Sequence, residues 1–333
     1  MMDIGILGGG AFGTALAKLL EARGHRITIW CFPAEEARML AATRESVRLP
    51  GFKVGPDVLP SEDVEPAVTG KEIVILVTPS HTARAVLAKT AALFDAQSVL
   101  VVGTKGIEEE TLLTMSQVVR EVLPAPVAQR AAFVSGPTFA RELASGLPAA
   151  IVVASRSPAS AELVQREFST DRLRLYTSDD VAGVELGGAL KNVCAIGAGI
   201  SDGLGYGHNA RAALITRGLF EMARIGMRMG ANPLTFAGLA GMGDLVLTCT
   251  SDLSRNRQVG LELGRGRKLD EILTSLGAVA EGVKTTRAAR QLAMGLEVDI
   301  PITEVIYQVL YEGKQPNAAL AELMARELKP ERG

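Results

Sequence analysis

The feature that most constrains the fold is the start of the chain, where an apolar run, a glycine cluster and a helical pattern follow one another directly. The run Ile4–Leu7 predicts a buried strand, and the residues after Gly10 have helical spacing. Gly8, Gly10 and Gly13 fit the pattern GxGxxG. A strand that passes through such a loop into a helix is typical of a dinucleotide-binding βαβ unit. The alternative is a glycine-rich turn without a ligand.

Each glycine of this pattern has a separate role in a dinucleotide site. Gly8 permits the sharp turn after the strand, Gly10 removes the Cβ that would block a pyrophosphate, and Gly13 lets helix and strand pack closely. The free N–H groups at the start of the helix then favour the anion. We therefore expect the loop to bind a dinucleotide.

The end of the second predicted strand, Arg26–Trp30, bears on the choice between NAD and NADP. A carboxylate at this point binds the ribose of NAD, and an arginine accepts the 2′-phosphate of NADP. Phe32 stands just after the strand, and no arginine does. Glu35 and Glu36 follow slightly later and are interpreted as the solvated first turn of a helix. The strand end therefore favours NAD.

Strand-like and helical patterns alternate through the first half of the chain, and only helical patterns follow Asp180. Continuous apolar strands separated by helices are typical of a parallel sheet covered on both faces. We therefore predict an α/β fold, with a Rossmann-type doubly wound sheet in residues 1–180 and an all-helical domain in residues 181–333. The predicted strands are Ile4–Leu7, Arg26–Trp30, Ile73–Thr78, Val99–Gly103, Ala132–Ser135 and Ala150–Ala154, and the helical patterns are Thr14–Ala22, Thr82–Leu93, Val181–Leu204, Asn209–Met229, Arg255–Gly264, Val283–Met294, Ile302–Glu312 and Asn317–Arg326.

The composition argues against several classes of function. A net charge of -2 over 333 residues is not that of a dedicated nucleic-acid or anionic-membrane binder. The 3 cysteines and 3 histidines are dispersed, so neither a disulfide framework nor a metal site is indicated. The apolar stretch Val181–Ile200 contains Glu185, Lys191 and Asn192, which predicts a buried helix and no membrane insertion. Asp3 stands where a signal peptide carries positive charge, so we expect a cytoplasmic protein.

Two stretches of the helical half carry candidate chemistry. In the first, Lys191 lies on a helical face made of glycine, alanine and cysteine. Its side chain either extends to solvent or is placed in a cleft, and the small neighbours favour the cleft because they let a ligand approach.

In the second stretch, a glycine-flanked turn ends in Asp244, and Ser254 is a good N-cap for a helix that begins with Arg255. A cation in the first turn opposes the helix dipole, and this arrangement makes sense if a bound anion lies there. A surface basic turn is the alternative. We favour a phosphate site formed by backbone N–H groups and the Arg255 guanidinium.

These motifs together resemble the bacterial-type NAD(P)-dependent glycerol-3-phosphate dehydrogenase family over nearly the whole chain. The resemblance implies a 6-phosphogluconate-dehydrogenase-like fold. It also implies the interconversion of dihydroxyacetone phosphate and sn-glycerol 3-phosphate with NAD(P)H, for glycerophospholipid synthesis. The matching segments are GGGAFGTALA (8–17), TKGI (104–107), SGPTFARELASGLP (135–148), ELGGALKNVCAIGAG (185–199), GMGDLVLTCTSDLSRNRQVG (241–260) and VAEGVKT (279–285).

The resemblance assigns roles residue by residue. Lys191 matches the family's proton donor and acceptor, and Asp244 either orients Lys191 or binds a substrate hydroxyl. The substrate positions are Lys105, Gly136, Thr138, Lys191, Asp244, Ser254, Arg255 and Asn256. The cofactor positions are Gly8, Gly10, Ala11, Phe12, Gly13, Phe32, Lys105, Ala140, Arg255, Val279 and Glu281.

Two departures from the family pattern and several alternatives stay open. Family members often have Ser-Trp or Ser-Tyr in place of Ala11-Phe12, and bacterial members often carry Arg or His in place of Phe32. Phe32 is more like the NAD-linked eukaryotic members, so NAD is favoured although the family often uses NADPH. A β-hydroxyacid or 6-phosphogluconate-type dehydrogenase and a non-catalytic dinucleotide-sensing protein are alternative functions. A homodimer is an alternative to a monomer.

Overall fold

A computed structural model describes residues 1–276, 280–328, 330 and 331 of the chain. These residues form two compact units. The first unit comprises Met1–Gly188 and Ala231–Asp244, and the second comprises Ala189–Gly230 and Leu245–Gly333.

The first unit is built on an 8-stranded sheet. The strands are β1 Asp3–Leu7, β2 Arg26–Trp30, β3 Val58–Ser61, β4 Ile73–Leu76, β5 Val99–Val102, β6 Ala132–Ser135, β7 Ala149–Ser155 and β8 Leu173–Ser178. Their order across the sheet is β3-β2-β1-β4-β5-β6-β7-β8. Neighbouring strands are parallel except β6 and β7, which pair antiparallel.

The helices are numbered in chain order. They are α1 Ala11–Ala22, α2 Ala34–Thr43, α3 Ser80–Thr90, α4 Met115–Val122, α5 Ala125–Arg130, α6 Ala140–Ala144, α7 Pro158–Phe168, α8 Val181–Gly203, α9 Gly207–Arg228, α10 Pro233–Ala237, α11 Asp244–Thr250, α12 Arg255–Gly264, α13 Leu269–Leu276, α14 Glu281–Gly295, α15 Pro301–Tyr311 and α16 Pro316–Met324. Short 3₁₀ turns at Glu65–Ala67 and Ala91–Leu93 and a π-helical turn at Leu239–Gly243 complete the regular structure.

Both faces of the sheet are covered by helices, which confirms the predicted doubly wound Rossmann-type fold. Alternate residues of one strand enter different cores: Ile73 and Ile75 pack in one cluster, and Val74 and Leu76 pack in the other. All four side chains are fully buried, so the strand carries an unbroken apolar run.

The strand order reverses between β1 and β4, and this is where such sheets bind ligands. Parallel strands bring their carboxyl ends to one edge of the sheet. The glycine loop after β1, Lys105 after β5 and Gly136 after β6 all follow carboxyl ends of this kind. The topology therefore places the predicted ligand-binding loops of this unit on one edge.

The prediction of a parallel sheet is wrong for one pair of strands, and it omits two strands. The β6–β7 pair is antiparallel, and the two strands are joined by residues 136–148, which include α6. Strand β3 was not predicted because it is short and contains Pro60. Strand β8 was not predicted because exposed residues alternate with its buried ones. Both are the outermost strands of the sheet, where one-sided burial weakens the apolar pattern.

The division into units differs from the predicted boundary at residue 180. The first unit extends to Gly188 and includes Ala231–Asp244. The Asp180 carboxylate links the two segments, since it accepts hydrogen bonds from the Gly183 amide (2.9 Å) and from the Thr235 hydroxyl (2.6 Å). Helix α8 begins directly after Asp180, as predicted, but its first turns and the segment around Thr235 belong to the first unit.

The second unit consists of helices, as predicted. Its helices α8 and α12 approach so closely that their backbones touch. A Cβ at Gly199 would lie 2.0 Å from the Arg257 carbonyl oxygen, and one at Gly260 would lie 1.9 Å from that of Ile196. Glycine spacing on both helices therefore serves packing, which fixes the start of α12 relative to the middle of α8.

Helix α8 is the one described helix that is long and apolar enough to span a membrane by length and composition alone. In its most apolar window 89% of the residues are buried inside the protein. This confirms the prediction of a buried helix at 181–200.

A buried carboxylate in the second unit makes stability depend on pH. Glu221 is 3% exposed and accepts hydrogen bonds from the amides of Ile302 and Thr303 at the start of α15. Burial raises the pKa of Glu221 to about 7, although these hydrogen bonds lower it. Because the folded-state pKa lies above the ordinary value of 4.5, the folded state is favoured when Glu221 is protonated, and stability falls as the pH rises from 4.5 to about 7.

We expect Glu221→Gln to reduce this loss of stability. The penalty present at pH 8 and absent near pH 4.5 is at most about 3 kcal/mol. Urea unfolding of the variant and the wild type at pH 5 and pH 8 measures it, with the exposed Glu312→Gln as a control. An identical pH dependence of unfolding free energy in all three proteins would contradict the prediction.

Candidate active site

The glycine loop has the geometry predicted from its sequence. Gly8 has φ 128°, which a side chain would strain, and a Cβ at Gly13 would lie 2.0 Å from the Gly8 carbonyl oxygen. A Cβ at Gly10 would meet no atom within 4 Å, and Gly10 has the ordinary dihedrals φ -68° and ψ 178°. Folding therefore requires Gly8 and Gly13, while the space at Gly10 is left free in front of the α1 N–H groups. A dinucleotide pyrophosphate fits this cradle.

We expect Gly10→Val to raise the Kd for NADH by at least about tenfold, because the side chain enters the space that a phosphate needs. The same variant should keep a cooperative thermal transition close to that of the wild type, since no protein atom is displaced. Fluorescence titration with NADH and a melting curve measure both quantities. Gly13→Val is the matched variant in which folding itself should fail. Unchanged NADH affinity in Gly10→Val would mean that the loop is a turn that does not bind the cofactor.

Lys105 and Asp244, both in the first unit, form an ion pair. The Lys105 ammonium donates to Oδ2 of Asp244 at 2.5 Å, and the Asp244 side chain is 1% exposed while that of Lys105 is 20% exposed. Asp244 is the first residue of α11, directly after the π-helical turn Leu239–Gly243. A buried carboxylate of this kind fixes the position of the ammonium group. The Asp244 carboxylate thus orients one lysine of the first unit, Lys105.

A small cavity of about 10 Å³ lies beside Lys105 and is also lined by Ser135, Glu185 and Gly188. The Ser135 hydroxyl is buried and has no hydrogen-bond partner among the residues that the structure describes. The cavity has about the size of one water molecule, so it is too small for a phosphorylated three-carbon substrate.

The loop after β6 carries three predicted positions. Gly136 has φ 145°, and the Thr138 hydroxyl donates to the Gly136 carbonyl oxygen at 3.0 Å. Ala140 begins the short helix α6. This hydrogen bond closes a tight turn at the carboxyl end of the strand, close in sequence to the unpaired Ser135 hydroxyl.

In the second unit, Lys191 is held in the interior. Its side chain belongs to helix α8, is 8% exposed and donates from Nζ to the Thr248 hydroxyl at 2.9 Å. Thr248 is itself buried on α11. A threonine hydroxyl accepts a hydrogen bond from an ammonium group, so Thr248 fixes the position of the Lys191 Nζ. Sequence reasoning missed Thr248, although it stands one helical turn after Asp244.

The small residues near Lys191 have a different purpose from the one predicted. Ala195 is fully buried, and a Cβ at Gly218 of α9 would lie 2.7 Å from the Cys194 sulfur. A Cβ at Gly187 would lie 2.4 Å from the Ala240 carbonyl oxygen. These positions pack against neighbouring segments, so the interpretation that they open a cleft for a ligand is not needed.

Ser254 caps helix α12, as predicted, by accepting a hydrogen bond from the Arg257 amide at 3.2 Å. The two arginines that follow differ in their surroundings. Arg257 is locked by the carboxylates of Asp202 and Asp252, each at 2.6 Å. Arg255 is exposed and makes no hydrogen bond or ion pair to any described residue. Arg255 is therefore the cation available to an anion at the start of α12.

Asn256 holds three helices together. Its Nδ2 donates to Oδ1 of Asn192 on α8 at 2.9 Å, and its Oδ1 accepts from the amide of Gly282 on α14 at 3.0 Å. Asn192, beside Lys191 in the sequence, thus has a defined structural partner that the sequence did not reveal. Asn256 fixes the first turn of α12 next to the start of α14.

The remaining cofactor positions are spread over several elements. Ala11 and Phe12 begin α1 and pack against the core, and Phe32 is 75% exposed after β2. Glu281 begins α14 and is partly buried. Val279 lies outside the described residues. No group of three or more histidine, cysteine, aspartate or glutamate side chains in the described part of the chain is arranged to hold a metal ion.

Comparisons with known proteins agree with the two-part organisation. The family model for the N-terminus of NAD-dependent glycerol-3-phosphate dehydrogenase matches residues 3–161, and the model for its C-terminus matches residues 180–321. The glycerol-3-phosphate dehydrogenase (NAD(P)+) of Geobacter sulfurreducens is 54% identical over 330 residues, which cover 99% of this chain and 98% of that protein.

Solved structures give the same result. The crystal structure of glycerol-3-phosphate dehydrogenase from Coxiella burnetii matches with a TM-score of 0.92 and 37% identity, covering 98% of this chain and 99% of that one. A D-mandelate dehydrogenase matches with a TM-score of 0.64 and 13% identity, covering 96% of this chain and 100% of that one, and shares the fold alone. The chain therefore belongs to the NAD(P)-dependent glycerol-3-phosphate dehydrogenase family.

Proposed function

We propose that the protein reversibly reduces dihydroxyacetone phosphate to sn-glycerol 3-phosphate with NADH or NADPH, for glycerophospholipid synthesis. The observation that carries the choice of a phosphorylated substrate is Arg255, an unpaired cation among the described residues at the start of the serine-capped helix α12. Its guanidinium and the free N–H groups of the first helical turn converge on an anion. A phosphate bound there holds the substrate by a group that does not react.

We assign the dinucleotide to the glycine loop, with Gly8, Gly10 and Gly13 around the pyrophosphate and Ala11 and Phe12 offering the first amides of α1. We assign further cofactor contacts to Phe32, Lys105, Ala140, Arg255, Val279 and Glu281. When bound, the reduced nicotinamide supplies the two electrons and the hydrogen that reach the carbonyl carbon of the substrate.

Lys191 is the proton donor in the direction of reduction. Negative charge grows on the carbonyl oxygen, and the Lys191 ammonium stabilises that charge. One N–H bond of Lys191 breaks as the O–H bond of the product alcohol forms, and the lysine regains a proton from solvent before the next turnover. The hydrogen bond from Nζ to Thr248 fixes the direction of this donor.

The other substrate positions orient the reacting molecule. Asp244 holds the Lys105 ammonium group in place by an ion pair, so that Lys105 contacts the substrate from a fixed position. Gly136 and Thr138 contribute the turn after β6, and Ser254 and Asn256 fix the start of α12. We place the protein in the cytoplasm, where its 3 cysteines, all buried and none in a disulfide, stay reduced.

The loss of NADH absorbance on mixing the protein with dihydroxyacetone phosphate tests the proposal. Turnover with this ketone and little with dihydroxyacetone, which lacks the phosphate, is the expected result. Oxidation of a β-hydroxyacid or 6-phosphogluconate in its place would assign the protein to the carboxylate-directed dehydrogenases. NADH binding without turnover of any of these would assign it to the dinucleotide sensors.

A further inference from the structure

The structure places a carboxylate at the end of β2, where the ribose of a bound dinucleotide is expected. Glu36, in the first turn of α2, is only 14% exposed in its side chain. Burial and, as a smaller contribution, the nearby charge of Glu36 together raise the pKa of the Cys31 thiol to about 11. Cys31 in turn touches the glycine loop, because a Cβ at Gly9 would lie 2.3 Å from its sulfur. Glu36 is therefore not the solvated helix residue that the sequence indicated.

An arginine reaches the same point from a later segment. Arg48 donates from Nε and Nη2 to Oε1 of Glu36, at 2.9 and 2.6 Å. The Arg48 amide donates to the Ser46 hydroxyl, which donates to the carbonyl oxygen of Gly9. Arg48 is thus tied to the glycine loop by Ser46 and to the end of β2 by Glu36.

Each side chain of this pair has one polar atom that is available to a ligand. Within the described residues, Oε2 of Glu36 and Nη1 of Arg48 have no hydrogen-bond partner. The Arg48 side chain is 48% exposed, so an added anion can reach its guanidinium.

We propose that Glu36 and Arg48 together decide between NADH and NADPH, a step that rests on the proposed place of the dinucleotide on the glycine loop. With NADH, the ribose 2′-hydroxyl donates to Oε2 of Glu36 while Arg48 stays paired to Oε1. With NADPH, the 2′-phosphate takes Arg48 as a bidentate partner and is repelled by Glu36. The wild type accepts both cofactors because each charge opposes the other.

Two substitutions of this pair have opposite expected effects. Glu36→Gln removes the repulsion and frees Arg48, so the ratio Kd(NADPH)/Kd(NADH) falls by about tenfold or more. Arg48→Gln removes the partner of the phosphate and leaves the acceptor of the hydroxyl, so the same ratio rises by about tenfold or more. Fluorescence titration of each purified protein with NADH and with NADPH measures the ratio without any turnover.

The chain contains a matched control on the same helix. Glu35 and Arg38 form a similar pair at 3.0 Å but are 68% and 56% exposed in their side chains. Glu35→Gln and Arg38→Gln should leave both affinities within about twofold of the wild type. Melting curves check that all four variants fold.

The result that would overturn the proposal is an unchanged ratio in Glu36→Gln and Arg48→Gln while Gly10→Val weakens both cofactors. In that case the dinucleotide lies on the glycine loop, but this pair does not read its 2′ group. If Gly10→Val also leaves both affinities unchanged, the proposed cofactor site itself is wrong. Opposite changes in the ratio, absent from the two control variants, support the proposal.

Discussion

Replacing Lys191 with alanine is expected to lower kcat by about 10²–10⁴-fold while the Kd for NADH stays within about twofold. The expected loss is large because one side chain both stabilises the charge on the carbonyl oxygen and delivers the proton. Lys191 is 8% exposed and held on Thr248, so its ammonium group is fixed before a substrate arrives. Steady-state kinetics with dihydroxyacetone phosphate and a separate NADH titration measure the two effects.

A second substitution separates charge from proton transfer. Lys191→Arg keeps a cation but cannot release a proton near neutral pH, so it should also lose most of kcat if proton delivery is needed. Substantial activity in Lys191→Arg would mean that charge alone is used. The exposed Lys268→Ala in the same unit serves as the control and should keep wild-type kinetics. Near-wild-type kcat in a folded Lys191→Ala would remove Lys191 from the mechanism.

The parts of the fold that could be predicted are those fixed by residues close together in the sequence. The loop from Gly8 to Gly13 is such a case, because a strand, a turn and a helix start each have local requirements. The N-cap role of Ser254 is another, since a cap binds an amide three residues later. Strand β8 could not be predicted in this way. Its alternating exposure results from its place as the outer strand of the sheet, which is a property of the whole unit.

The partners of the site residues could not be predicted, because they come from distant parts of the chain. Lys105 finds Asp244, and Lys191 finds Thr248, only after folding. The sequence predicts Arg255 as the phosphate-binding cation, but nothing local distinguishes it from Arg257 two residues later. The structure separates the locked Arg257 from the available Arg255, and this difference depends on carboxylates that other segments contribute.

The prediction of the cofactor has the same limitation, because it also depends on a partner from a distant part of the chain. The sequence favoured NAD because no arginine follows β2. Arg48 comes to that point from beyond α2, by pairing with Glu36. A motif read along the sequence cannot reveal a charged side chain that only folding brings to the site.

Arg255→Ala is expected to lower kcat/KM for dihydroxyacetone phosphate by about ten- to a hundredfold. Loss of a charge-assisted hydrogen bond to the phosphate costs roughly 1.5–3 kcal/mol, which corresponds to that factor. Arg255→Lys should also lower kcat/KM, but less than Arg255→Ala does. A lysine presents one point charge, whereas the guanidinium presents a planar fork. Arg265→Ala, at the other end of α12 and paired with Glu262 at 2.8 Å, is the control and should stay within about twofold.

Comparing two substrates shows whether Arg255 binds the phosphate. Dihydroxyacetone lacks the phosphate, so Arg255→Ala should reduce its kcat/KM far less than that of dihydroxyacetone phosphate, and the two proteins with the two substrates form a double-mutant cycle. Because Arg255 is also assigned to the cofactor, the Kd for NADH is measured in both proteins, and any change in it affects both substrates alike and cancels in the cycle. Equal losses for the two substrates would show that Arg255 does not recognise the phosphate. The proposed phosphorylated substrate would then lose its main physical support, since Arg257 is held by two carboxylates and cannot replace Arg255.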